Sequence, residues 1–224
     1  MKRPVVDYRD LRLSTLASPR YRHLLLLLGW VVYFIFYFLT ENFIPAEACH
    51  VIHSPVDDLI AFNEYFLIFY CSWYAWIVLS LLYFVLYDIP SFTGLQKFII
   101  ATQVIAMIVY ILYPNRQDMR PDHFEHDNFL TALMAFIYNF DTPTGVCPSL
   151  HVAYSAGIAS TWCKRKETSL PVKLFMVALF VAISISTMFV KQHSFVDVIA
   201  ALPVSLAAEW FAYRGWWKER KKQK

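Results

Sequence analysis

The chain has 224 residues, a formal net charge of +3, 58% hydrophobic residues and 18% aromatic residues. Soluble domains are usually about half apolar, so this composition excludes an ordinary soluble domain and points to the membrane class, at a length that suits one domain. Cys49, Cys71, Cys147 and Cys163 show no paired CxxC spacing, which removes the usual zinc and redox motifs; spacing leaves open whether Cys49 and Cys147, both on the same expected face, pair.

Residues 1–23 carry Lys2, Arg3, Arg9, Arg12, Arg20 and Arg22. They form a basic arm, too polar and too long before the first apolar run to resemble a cleaved signal peptide. A first span is expected over 24–40. Residues 41–64 follow as a loop with Glu41, Glu47, Asp57, Asp58 and Glu64 and no Lys or Arg. A second span covers 65–87. Asp88, Pro90 and Gly94 read as a short turn, and 98–113 as a third, somewhat short span. The dense polar loop 114–128 precedes an apolar stretch, 129–140, that is too short to cross and reads as an interfacial or re-entrant helix. The fourth span is expected near 149–163, the fifth over 170–190 and the sixth over 195–213. A basic tail, 214–224, contains Lys218, Arg220, Lys221, Lys222 and Lys224. No internal repeat is visible.

The expected fold is therefore all-α, a six-transmembrane-helix bundle over 24–213 with an interfacial or re-entrant helix before the fourth span. Six spans put both termini on one side. Seventeen of the twenty Lys and Arg then fall on that side, which the positive-inside rule makes cytoplasmic. The expectation is a multi-pass protein of the plasma (inner) membrane with both termini cytoplasmic. The three remaining cations, Arg116, Arg120 and Lys191, flank the two histidine motifs on the outer side.

Those motifs are Cys147-Pro148-Ser149-Leu150-His151 and Lys191-Gln192-His193-Ser194-Phe195-Val196-Asp197. His193 and Asp197, at i and i+4, share a helix face, where a carboxylate can fix the tautomer of an imidazole and stabilise its charged form. Pro148-Ser149 places His151 at a helix start, and a helix N-terminus favours phosphate. Arg120 can grip phosphoryl oxygens bidentately; Ser149 adds a hydroxyl, and Lys191 and Arg116 add charge. This set suits phosphoryl transfer, with His193 attacking phosphorus, Asp197 steadying it and His151 protonating the leaving oxygen. No metal or other cofactor is expected, because the set is cations and histidines rather than the carboxylates magnesium prefers. The expected partners are a phosphorylated lipid and the bilayer, not nucleic acid.

Three stretches resemble the signature of the type 2 phosphatidic acid phosphatase superfamily: Tyr113 to Arg120-Pro121, Pro148-Ser149-Leu150-His151, and Ser186-Thr187 through His193 to Asp197. The resemblance implies a six-helix membrane fold, His193 as nucleophile, Asp197 as its partner, His151 as general acid, phosphate contacts at Arg120 and Ser149, and no metal requirement. The chain departs from the pattern at Tyr113, Leu150 and Thr187, where the family has Lys, Gly and Arg. The SLH and KQH forms look more like the inositol-phosphorylceramide-synthase-like branch, which includes enzymes passing a phosphorylated head group between lipids.

Other polar residues have plainer readings. His123 and His126 resemble loose metal ligands but lack the HExxH pattern and read better as a solvated acidic loop; His50, His53, Asp57 and Asp58 read as surface loop ahead of a place at the mouth of the site, and Glu209 as a carboxylate snorkelling from the inner end of the sixth span. A non-catalytic lipid-binding or transport protein using the same basic pocket is the alternative, disfavoured by few glycines, no repeat and polar clusters at an edge rather than at midplane.

Overall fold

The structure is a computed structural model that describes residues 4–222, with side chains described for 4–215. Lys2, Arg3 and Lys224, and the side chains of Lys218, Arg220, Lys221 and Lys222, lie outside the described part. The described residues form seven α-helices: α1 Leu28–Phe43, α2 Leu67–Tyr87, α3 Ile89–Leu112, α4 Phe129–Phe140, α5 Leu150–Lys164, α6 Leu170–Phe189 and α7 Phe195–Lys222. A tight helical segment, Arg22–Leu27, runs into α1. The only sheet among the described residues is a parallel pair, β1 (His50–Val51) and β2 (Asn115–Arg116), which ties two loops at one end of the bundle.

Among the described residues, five helices are long and apolar enough to cross a membrane: Arg22–Phe43, Glu64–Tyr87, Ile89–Leu112, Leu170–Phe189 and Phe195–Gly215. This is compatible with a multi-pass integral membrane protein. The fourth expected span is α5, whose 15 residues reach only about 22 Å. It is the hub of the bundle, packed against α2, α3, α6 and α7. A helix whose faces meet protein instead of lipid need not be long or uniformly apolar, and α5 accordingly carries Ser155, Ser160 and Thr161.

Two helix boundaries differ from the sequence reading. The third helix begins at Ile89, not near 98, because Asp88 is both the last residue after α2 and the N-cap of α3: its Oδ1 accepts from Ser91 N at 3.2 Å. Pro90 occupies the first turn of α3, where a missing N–H costs nothing. Gly94 is then inside the helix, under the ring of Tyr213. The last helix continues past 213 to Lys222, so part of the basic tail is helical. The N-terminal arm folds back over the α2–α3 turn, with Val5 N donating to Leu86 O at 2.8 Å and Tyr8 Oη to Val85 O at 2.8 Å.

Burial is uneven. Half of the apolar window of α3 is buried against 6% in α1. The main core joins Phe92, Leu95 and Ile99 of α3 to Val152, Ala153 and Ile158 of α5 and Phe84 of α2. Helices α3 and α5 meet closely at Gly157, where a Cβ would lie 2.4 Å from Phe98 Cδ1. The short helix α4 is capped at its start by Asn128, whose Oδ1 accepts from Leu130 N and Thr131 N while Thr131 Oγ1 accepts from Asn128 N, a reciprocal cap worth about 1 kcal/mol. Met134 buries α4 against Leu67, Tyr70 and Val190.

Candidate active site

Both histidine motifs lie at helix starts, and the fold brings them together. Ser149 is the N-cap of α5, its Oγ accepting from Val152 N at 3.4 Å, so His151 sits in the first turn. The residues before it are clamped by Asn115 on β2. The Oδ1 atom of Asn115 accepts from Val146 N at 2.9 Å and Cys147 N at 2.8 Å, while Nδ2 donates to Cys147 O at 3.0 Å. Gly145 turns the chain into this clamp with φ 59°, a left-handed conformation that glycine adopts without penalty. Tyr110 Oη adds a bond to Pro148 O at 2.8 Å.

The second motif opens α7. His193 is 7% exposed and Asp197 fully buried. His193 Nδ1 stands 3.3 Å from Asp197 Oδ2, which also accepts from Ser194 N at 2.9 Å. Across the gap, His151 Nδ1 is 3.2 Å from His193 Nε2, and Ser149 N donates to Asp197 O at 3.2 Å. His151, His193, Asp197 and Ser149 thus form one connected set. If Nδ1–H of His193 faces Asp197, its lone pair is on Nε2, and the matching tautomer of His151 carries its proton on Nδ1. The other ring nitrogen of His151, Nε2, is buried without a protein partner. His151 is held among aromatic rings, with Trp73 at 4.2 Å and Tyr70 at 4.7 Å between centroids.

Asp57 sets this arrangement, where the sequence favours a surface loop over a place at the mouth of the site. It is 3% exposed. Its Oδ2 accepts from Ser194 Oγ at 2.6 Å and Ser54 N at 2.8 Å, and its Oδ1 accepts from Phe195 N at 2.8 Å. A carboxylate from the first loop therefore caps the start of α7 between His193 and Asp197. Cap chemistry normally comes from the preceding residue; a cap supplied 138 residues away leaves no local signal in the sequence.

The cations divide. Arg120 donates from Nη1 to Tyr138 O and from Nη2 to Gln192 Oε1, both at 2.9 Å, and stacks 4.6 Å over the Tyr138 ring. It reaches the site through Gln192, the neighbour of His193, and complements the C-terminal end of α4. The Nε of Arg120 is buried without a partner. Lys191 is not brought to the histidines: its ammonium donates to the carbonyls of Asp57 and Ile60. Arg116 pairs with Asp118 at 3.2 Å within its own loop.

A further carboxylate, Asp141, lies behind the site, 3.2 Å from Tyr37 Oη and 3.5 Å from Gln192 Nε2. Burial raises its pKa above the ordinary carboxylate range, against the opposing pull of Arg120, Tyr37 and His193. Cys147 is pushed up to about 12, first by burial and then by the charge of Asp197, so it is no nucleophile at neutral pH. All four cysteines are free, Cys49 and Cys147 included. Of the remaining histidines, His53 faces Asp58 at 2.8 Å, His126 faces Glu64 at 3.0 Å, and His50 stacks on Tyr113 at 4.3 Å.

The histidine pair stands at the end of a cavity of about 760 Å³. Its polar end is formed by His151, His193, Gln192, Asp141 and Thr142, and the rest of its wall is mostly aromatic and aliphatic. A polar cluster converging at one end of an otherwise apolar cavity is the usual form of a small-molecule site. No family model matches this chain, and no curated protein or solved structure proves similar to it.

Proposed function

We propose that the chain is an integral membrane enzyme that transfers a phosphoryl-containing group from a phosphorylated lipid by way of a phosphohistidine. The observation that carries this reading is the relay Asp197–His193–His151 at the polar end of a largely apolar cavity. In the first step the lone pair on His193 Nε2 attacks phosphorus. The bond from phosphorus to the lipid oxygen breaks, and that oxygen takes the proton of His151. Asp197 stabilises the cationic imidazole as it forms. In the second step His151, now a base, accepts a proton from water or an alcohol, whose oxygen displaces His193 from phosphorus. Water as acceptor makes a lipid phosphatase; an alcohol makes a head-group phosphotransferase.

The nitrogens of His151 and His193 face each other too closely to admit a phosphoryl group between them, so binding must part the rings. Arg120 would exchange Gln192 for phosphoryl oxygens in the same movement, and Ser149 would lend the start of α5. Lys191 and Arg116 serve better as loop fasteners unless those loops rearrange. Residues 24–213 form the catalytic domain, with α5 as the fourth of six spans and α4 at the interface. Both termini are cytoplasmic, by the distribution of Lys and Arg; outside labelling of a cysteine placed at position 222 in intact cells contradicts that orientation. The likeness to the type 2 phosphatidic acid phosphatase signature supports the same roles, and the chemistry as written needs no divalent cation.

The test is an assay of the purified chain against a panel of phospholipids, with and without alcohol acceptors and with chelator throughout. Release of phosphate or transfer of the head group, with acid-labile phosphate on His193, is expected. Turnover that appears only with added Mg²⁺ removes the metal-free mechanism. Binding without turnover on every lipid favours the lipid-binding alternative.

A further inference from the structure

The cavity that ends at the histidines continues far beyond the space a phosphate needs. On one side it is walled by Trp30, Phe34 and Tyr37 of α1, on the other by Trp73, Val78 and Leu81 of α2. The α1 wall, from Leu27 to Tyr37, is about 15 Å long at 1.5 Å per residue, the depth of one leaflet of a ~30 Å hydrocarbon core. Helix α1 buries no residue of its own, and its main packing partners are α3 and the segment before it, not α2. Phe34 and Val78, on the two rims, are 57% and 62% exposed. The space between α1 and α2 is thus a groove open sideways on the apolar surface of the bundle, closed at its back by Trp73 and Tyr154, whose rings stack at 5.8 Å. The indole N–H of Trp73 is buried without a protein partner, a donor free for an ester or hydroxyl near a lipid head.

We propose that this groove holds one acyl chain of the phosphorylated substrate, laid between α1 and α2 with its head at the histidine pair, and that it acts as a ruler for chain length. The inference rests on the phosphoryl-transfer reading of that pair and adds which part of the protein recognises the lipid. A chain there completes the packing of α1 that the protein leaves unfinished. It also places the phosphate at the depth of His151 by construction, because an apolar tail that fills a leaflet-deep groove leaves its head at the groove's polar end. Bulk lipid could cover the same surface, but it would do so without regard to what head it carries.

Two measurements on the full chain test this. The first is kcat/KM for butyl, hexyl, octyl and dodecyl phosphate, each as monomer. It should rise about two- to fourfold per added CH2, the fold-change expected for burying a methylene, and level off once the groove is full. Leu81→Trp should bring the plateau to shorter chains, and Val78→Trp, nearer the histidines along α2, to shorter chains still, so the ratio of dodecyl to butyl falls in that order. Parental chain-length profiles in both variants overturn the ruler while leaving phosphoryl transfer intact. The second measurement does not need turnover: a dodecyl phosphate with a diazirine near the end of its tail should label α1 and α2, and dodecyl phosphate should compete far better than dodecanol. Labelling confined to α6 or α7, or equal competition by both, overturns the proposal. No phosphate release from any ester, with labelling as expected, keeps the groove and removes the catalytic reading instead.

Discussion

The two ends of the bundle carry polar clusters on the same helices, α3, α5 and α7, yet they are built differently. At one end Arg165 Nε meets Asp88 Oδ2 at 2.7 Å, Lys164 meets Glu209, and Thr161 Oγ1 meets Tyr213 Oη at 2.6 Å. Each charge there has an opposite charge beside it, and Arg165 is further covered by the rings of Tyr83 and Trp162. At the other end two histidines face each other, one of them with an unpartnered ring nitrogen, above a cavity. A cluster whose members satisfy one another can only add stability or specificity. A cluster that leaves proton donors and acceptors free beside a cavity can do chemistry on what enters. Fastening and function thus differ in how the polar groups are partnered, not in where they lie along the chain.

Substitutions at the two ends should therefore differ in what they cost. The largest effect is expected for His193→Ala, which should abolish turnover and all labelling by a phosphorylated substrate, since His193 carries the intermediate. Parental turnover in this variant would place the chemistry elsewhere. His151→Ala should slow turnover ~100- to 10,000-fold, the usual size of a general acid effect. That loss should shrink for a nitrophenyl ester, whose leaving group needs little protonation. Rescue of His193→Ala by the good leaving group, and not of His151→Ala, would reverse the two roles.

Asp57 fastens, but does so at the reactive end, so Asp57→Asn should act on chemistry through structure. An amide can accept from Phe195 N but cannot accept from both Ser194 Oγ and Ser54 N, so the start of α7 should loosen. A fall in kcat of ~10- to 100-fold is expected from misplacing the reacting groups. Asp57→Glu should recover part of it, while the ratio of dodecyl to butyl kcat/KM stays parental; loss of that ratio as well would mean general unfolding.

At the opposite end, Arg165→Ala strips Asp88 of its partner and should cost about 3 kcal/mol of stability, read as a lower unfolding midpoint, with the rate of the folded enzyme unchanged. A large loss of rate at temperatures where the variant is folded would deny that this end only fastens. The smallest effect is expected for Asp141→Asn. Burial holds the Asp141 pKa above its unfolded value, so stability falls as pH rises through the unfolded pKa and the loss is complete above the folded pKa. The variant should therefore melt slightly higher at neutral pH, and the gain should vanish below about pH 4, where the carboxyl is neutral folded or unfolded. A gain that persists in acid would point to another cause.

The sequence displayed the helices well because each long apolar run is a lipid-facing or core helix, and it displayed His151, His193 and Asp197 because their spacing is local. The third helix was cut short by reading Asp88, Pro90 and Gly94 as a turn, although Asp followed by Pro two residues on is also the signature of a helix start. Glu209 looked like a snorkelling carboxylate, yet it bonds Ser160 Oγ at 2.9 Å and pairs with Lys164. The roles of Asp57 and Asn115 were not legible, since both act through contacts with residues far along the chain. The same is true of Lys191, whose charge suggested a ligand while its partners are carbonyls of the first loop.

Gly157 has a consequence for His151. The two are six residues apart on α5, about 9 Å along the axis, with Phe98 pressed against the glycine and the Asn115 clamp holding the chain beyond the histidine. The helix is thus a lever with its fulcrum at Gly157. The methyl group of an alanine there must push α5 and the ring of Phe98 apart, and the part of that shift taken by the helix falls, because its far end is clamped, on the stretch where His151 faces His193. How closely the two imidazoles meet is decided in the middle of the bundle, by the absence of a single carbon atom.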